Sequence, residues 1–258
     1  ITRKSKKIKI MGKYFTVEVK PTVTASKQHV GGFTAGDVLF DWTEFEIPKG
    51  SANLIGATVL VRPKGDASPT ANAKAMSLLI SKSNTVSLGT INSDANNRPS
   101  NDLVAHVELA DSDFTPTKLN STAIGTTPTN VENIPPGVPT VITADQDLAS
   151  TTGFDKFYIG ALSGTQFFTT LIRINDADID SASPGTALVT DGSSMNVLEH
   201  FIPGDILHAH DDAVIGTVAS VNSATSTTLT EAIATGVLED DDFVYNIHPI
   251  RIILQFEQ

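Results

Sequence analysis

Apolar and polar residues alternate with a period of two along most of this chain. Between 7 and 20 the run KIKIMGKYFTVEVK sets Ile8 and Ile10, then Phe15, Val17 and Val19, against charged neighbours, with a break at Gly12; this is the spacing of half-buried strands, so the start of the chain is expected to be extended. Residues 21–36 carry Pro21, the pair Gly31-Gly32 and Gly36 and read as a linker. DVLFDWTEFEIP (37–48) alternates again, with Val38, Phe40 and Trp42 on one face. The phase then shifts near Thr43 so that Phe45 and Ile47 turn inward, a shift that a bulge accommodates.

LIGATVLVRP (54–63) and KAMSLLISKS (74–83) have nearly continuous apolar runs, which marks them as central strands. Residues 84–102 are rich in Asn, Ser and Asp and read as a loop with at most one short strand at 86–88. LVAHVEL (103–109) follows. The stretch 110–153 is dominated by Thr, Pro, Asn and Ser, with VPTVI as its one compact apolar group, and reads as a surface excursion. FDKFYIGALSG and TQFFTTLIRIND (154–176) place aromatic residues on both sides of Gly164, which predicts a hairpin. In the C-terminal quarter, short Val, Ile, Leu and Thr runs are parted by Gly204-Asp205, Asp, Asn and Ser at intervals of about 8–12 residues, the pattern of a small antiparallel barrel. The closing run PIRIILQFEQ puts Ile250, Ile252, Leu254 and Phe256 on one face and is expected to return to the first sheet. A helical turn or two is expected only at 231–240.

The predicted fold is therefore all-β: an antiparallel, jelly-roll-like β-sandwich (37–185 plus 249–258), a small β-barrel inserted near the C-terminus (186–248), and a basic extended arm with its linker (1–36). With 258 residues and no cysteine, the chain has length enough for an apolar core and holds no disulfide or thiolate site. No apolar run reaches the roughly 18–20 residues that span a bilayer, so no membrane partner is expected.

Charge changes the picture most. Of the net −11, residues 1–20 hold seven basic side chains, Arg3, Lys4, Lys6, Lys7, Lys9, Lys13 and Lys20, against Glu18 alone, and the remaining 238 residues carry −17. No Lys or Arg lies between Arg173 and Arg251, where thirteen Asp and Glu fall. Three readings stand for the arm: a solvated tail, a strap on the acidic surface of a neighbouring copy or another assembly protein, or a nucleic-acid contact. An acidic body repels phosphates, and only Tyr14 and Phe15 lie among the basic residues, so nucleic acid is the weakest of the three.

Candidate chemistry is sparse. His208 and His210, at i and i+2 on an expected strand and with His200 or Asp212 nearby, have the spacing to supply a metal site; the competing reading is a polar barrel face. Asp176, Asp178 and Asp180 have the start of an EF-hand spacing, but Ser181 stands where Gly is needed and Ala187 where the bidentate Glu belongs. They form either a looser calcium loop or a solvated acidic one. The run Glu239-Asp240-Asp241-Asp242 is a charged turn or a docking patch for a basic arm. No nucleophile elbow and no phosphate loop occurs; the expectation is a protein that is not an enzyme and takes no cofactor.

DVLFDWTEFEIPKGSANLIGATVLV, SLLISKSNTVSLGTIN and FYIGALSG resemble, over about 37–95 and 154–164, the β-sandwich virion structural proteins of marine tailed phages. GDILHAHDDAVIGTVASVNSATSTTLT is similar to the small barrels appended to phage head and tail proteins. The resemblance carries no catalytic residue and implies a place in the virion, as a capsid decoration or cement protein that binds shell subunits and its own copies as a homo-oligomer. Its arm residues Arg3, Lys4, Lys6, Lys7, Lys9 and Lys13 would make the contact. The alternatives are a tail, fibre or host-surface adhesion module, and an extracellular filament subunit in which 7–20 donate a strand to the next copy.

Overall fold

The computed structural model describes residues 13–62, 74–96, 103–116, 123–126, 140–143, 153–164, 171–173, 185–190, 197–239 and 242–258. In chain order its strands are β1 (Tyr14–Val19), β2 (Val38–Pro48), β3 (Ser51–Val61), β4 (Met76–Ser81), β5 (Leu103–Leu109), β6 (Phe114–Pro116), β7 (Ala123–Thr126), β8 (Thr140–Thr143) and β9 (Phe154–Ser163). They continue as β10 (Leu171–Arg173), β11 (Ala187–Val189), β12 (Ile206–Ala209), β13 (Val214–Val221), β14 (Ser226–Leu229), β15 (Phe243–Asn246) and β16 (Ile250–Glu257). The helices are short, α1 (Ala25–His29) and α2 (Val197–His200).

The sandwich is an antiparallel jelly roll, and its pairing shows why. β1 pairs with β16, β2 with β9, β3 with β7, and β4 with β5. Each strand of the first half thus meets its mirror in the second, as in one long hairpin. Wrapping that hairpin brings β16 beside β3 and β9 beside β4. Two facing sheets result, β1-β16-β3-β7 and β2-β9-β4-β5. β6 extends the first beyond β7, and β8 pairs with the opening residues of β3.

Period-two alternation fills the interior. Ile250, Ile252, Leu254 and Phe256 of β16 are fully buried, and they meet Leu39, Phe40 and Ile47 of β2, Leu54 and Val59 of β3, Leu78 and Ile80 of β4, and Phe157 of β9 in one core. At roughly 1.5–3 kcal/mol for each large side chain removed from water, this packing holds the two sheets together. The phase shift expected near Thr43 is present: the register of β2 against β9 slips between Phe40 and Thr43, and Phe45 and Ile47 both point inward.

Two local expectations are corrected. β9 does not form a hairpin with the residues after Gly164: its two neighbours are β2 and β4, and β10 pairs instead with β15. Aromatic pairing across a turn is a local signal, whereas the jelly roll gives β9 partners more than 70 residues away, β2 and β4, which occupy both of its edges. Residues 231–239 form turns rather than helix, while 84–90 form the expected loop, without a strand at 86–88.

The small barrel is an open sheet among the described residues. Its path runs β10-β15-β12-β13-β14-β11, with no pairing that joins β10 to β11. Most of its strands have three or four residues, too short to provide the stagger that closure demands. Bulges at Leu207/His208 and Val218/Ser220 curl it instead, so that Leu188, Leu207, Ile215, Leu229 and Val244 share a second core with Val197 and Phe201 of the α2 region. This sheet lies in sequence between the last two jelly-roll strands, β9 and β16.

Candidate functional site

The N-terminal segment meets the fold at a sheet edge. Among the described residues, β1 is the outermost strand of its sheet and pairs on one side only, with β16. Lys13 and Gln258 exchange two backbone hydrogen bonds at 3.0 and 2.9 Å, the Phe15 ring stacks on Phe256 at 5.2 Å, and the Tyr14 hydroxyl donates to Glu257 at 2.9 Å. Lys13 is exposed where the chain enters β1; Arg3, Lys4, Lys6, Lys7 and Lys9 lie outside the described residues. Residues 14–19, part of the stretch expected as a donated strand, are paired within their own chain. Lys20 and Arg251 both reach Glu18, at 3.5 and 2.5 Å, and the hydrogen bond from Arg251 is the first cause holding the Glu18 carboxyl below its ordinary range.

Of the two histidines singled out by spacing, only His208 lies within a strand. His208 lies on β12, opposite Tyr245 on one side and Val214 across a bulge in β13 on the other, and is half-buried. His210 follows the strand, is exposed, and its ring lies 5.2 Å from that of His29. His200 is buried in α2. Asp212 has its carboxylate engaged by Ser26, whose N–H donates at 2.9 Å and whose hydroxyl donates at 2.5 Å. Among the described residues, no three His, Asp or Glu side chains gather with the geometry of a metal site. Asp176, Asp178 and Asp180 lie outside the described residues, as do Asp240 and Asp241. Glu239 and Asp242 close a turn, the Glu239 N–H donating to the Asp242 carboxylate at 2.7 Å.

What the structure assembles, and the pattern did not disclose, is a polar seam between the jelly roll and the inserted sheet. α1 forms one side of it. Gln28 is fully buried and donates from Nε2 to the carbonyls of Val23 (2.8 Å) and Asn246 (3.0 Å). His29 Nδ1 and the Tyr245 hydroxyl are 2.7 Å apart, and burial pushes that phenol up to about 12. The Val23 N–H donates to Ile247. On the jelly-roll side, Asn92 donates to the carbonyls of Lys27 and Gly31, and Phe33 is buried in the sandwich core. At the far end of the seam Arg62, one residue past β3, pairs with Asp205 in the turn before β12. The same Asp205 carboxylate accepts the Ile202 N–H at 2.9 Å. The sequence signal for Asp205 was only that of a turn; a Gly-Asp pair does not reveal which distant cation its carboxylate will meet.

The interior of the jelly roll is occupied by apolar side chains, so the surfaces open to a partner are the outer ones: the free edge of β1, the exposed start of the chain at Lys13, and the seam. No protein-family model matches the chain, and no curated protein does.

Proposed function

We propose that this chain is a virion structural protein, a decoration or cement protein of a tailed-phage capsid, which covers shell subunits and grips its own copies. The observation that carries the reading is the junction of opposites at β1: a segment with seven basic residues in its first twenty leads straight into the open edge of a jelly-roll sheet, on a body of charge −17. Jelly rolls recur in viral capsid and lectin domains, a fold-level analogy that supports the reading without deciding it.

In this mechanism the arm lies on an acidic neighbour, where salt screens the attraction over a Debye length of about 8 Å at physiological ionic strength. β1 offers its unpaired backbone groups for strand addition. The packed interior leaves the work of the molecule to its surface, and no chemical step is assigned to it. The filament reading, with 7–20 donated to the next copy, would first have to break the six residue pairs that β1 makes with β16.

The test is where the protein sits. Gold-labelled antibody against the full chain, imaged by electron microscopy on phage particles, is expected on the shell; label on tails or on free filaments would overturn the reading. Removing residues 1–12, which spares β1, is expected to strip the protein from the shell at physiological salt.

A further inference from the structure

Below the Arg62–Asp205 pair lies a cleft of about 250 Å³. Its floor is the outer face of the jelly-roll sheet, where Arg251 on β16 stands opposite Leu60 on β3. Its roof is the turn from Ile202 to Asp205. Lys20, Arg62 and Arg251 enter it from the ends of three adjacent strands, β1, β3 and β16. His248, whose Nδ1 is 3.1 Å from the Pro21 carbonyl, also lines it.

Among the described residues, the carboxylates that meet these cations are Asp205 and Glu18. Asp205 is committed to Arg62 and to the Ile202 N–H, and Glu18 is shared between Lys20 and Arg251. Lys20 and Arg251 thus meet one carboxylate between them among the described residues, at a concave site with apolar walls, on a protein whose net charge is −11. Apolar walls focus such a potential rather than dissipating it. The inserted sheet carries Arg173 on β10 but lines the cleft with no Lys or Arg; Lys20, Arg62 and Arg251 come from the jelly roll, and the insertion gives them a roof.

We propose that this cleft binds an oxyanion, a carboxylate or phosphate carried on a small ligand with an apolar flank. The charged head would lie between Lys20 and Arg251, and the flank against Leu60 and Ile202. Guanidinium and ammonium donors make their strongest hydrogen bonds to such groups.

The test uses the full chain, isotope-labelled, titrated separately with sodium phosphate and with glutarate and followed by amide NMR shifts, against sodium chloride at matched ionic strength of about 20 mM, where screening is weak. Saturable shifts at Arg62, Gly204, Asp205 and Arg251 are expected with at least one of the two anions and not with chloride. Arg251→Gln is expected to weaken binding about tenfold or more, the loss of one charge-assisted hydrogen bond. Lys20→Gln, at a side chain 60% exposed, is expected to keep the melting temperature and still weaken binding severalfold, so the test survives if Arg251→Gln misfolds. Preference for phosphate or for glutarate identifies the source of the oxyanion. Shifts that grow linearly with both anions, or a Lys20→Gln affinity equal to the parent's, would overturn the proposal.

Discussion

Arg62 and Asp205 are 143 residues apart in sequence and form an ion pair across the seam, with side chains only 17% and 11% exposed. One sits at the end of a jelly-roll strand and the other in the turn that starts the long hairpin of the inserted sheet. The pair ties the insertion to its host at a point where neither core reaches.

Breaking this pair one partner at a time is expected to be costly. A fully buried pair that loses one member costs about 3–5 kcal/mol, because the survivor is left uncompensated; the residual exposure here brings the expectation to about 2–3 kcal/mol for Arg62→Met. Asp205→Ala is expected to cost more than Arg62→Met, since the Ile202 N–H loses its acceptor as well. Urea unfolding followed through Trp42, the single tryptophan, measures both. A double-mutant cycle is expected to return a coupling above about 1 kcal/mol; a coupling near zero would show the contact to be incidental.

Gly164 ends β9 against the backbone of Ala75. A Cβ placed there would stand 2.8 Å from the Ala75 Cβ and 3.1 Å from its carbonyl carbon, while the Gly164 N–H already donates to the Ala75 carbonyl at 2.9 Å. Gly164→Ala is therefore expected to destabilise by about 1–3 kcal/mol, the usual cost of overpacking, read as a lower melting temperature. Gly185→Ala is the control: its nearest neighbour would be 4.0 Å away, and the change is expected to stay within about 0.5 kcal/mol. Equal effects at the two positions would mean that the β4–β9 end can shift freely.

The strands were legible because burial on one face writes itself into alternation. Ile250, Ile252, Leu254 and Phe256 announced both the last strand and its inward face, and the slip at Thr43 announced its bulge. Partner choice was not legible. Phe157 packs against Phe45, at 5.9 Å, rather than against the aromatics that follow Gly164, because a jelly roll pairs strands by their order in the folded hairpin and not by their nearness in sequence. The seam was hidden for a related reason. Gln28, Asp205 and Tyr245 are ordinary polar residues in a short helix, a turn and a short strand, and only the docking of the inserted sheet brings each to a distant partner, Asn246, Arg62 and His29. The spacing of His208 and His210 was visible, but β12 ends at Ala209 and His210 falls in the turn beyond it, where strand spacing no longer applies.

Gln28 gives a direct test of the seam. Its amide Nε2 serves two carbonyls, Val23 on its own segment and Asn246 on β15. Gln28→Leu keeps the volume but removes both donors, and buried acceptors deprived of a partner cost about 1–3 kcal/mol each. A loss of about 2–4 kcal/mol is expected in chemical denaturation, with faster amide exchange at Val23 and Ile247, whose backbone bond lies beside it. A leucine variant as stable as the parent would mean that α1 is not what holds the insertion in place.

Tyr245 fixes the alkaline behaviour of the same seam. It is fully buried, burial pushes its phenol from 10.0 up to about 12, and its hydroxyl lies 2.7 Å from His29 Nδ1. Because the folded-state value lies above the unfolded one, the contribution is whole below pH 10 and is lost as pH climbs towards 12, where the unfolded chain ionises and the folded one resists. A two-unit gap corresponds to about 2–3 kcal/mol across that window. Tyr245→Phe is expected to cost about 1 kcal/mol at neutral pH through the lost hydrogen bond, and then to fall less steeply than the parent between pH 10 and 12. Stability curves measured by urea at several pH values check this, with absorbance at 295 nm to follow phenolate formation. Parallel curves for the two proteins would mean that water reaches the Tyr245 hydroxyl and that the seam is looser than its hydrogen bonds imply.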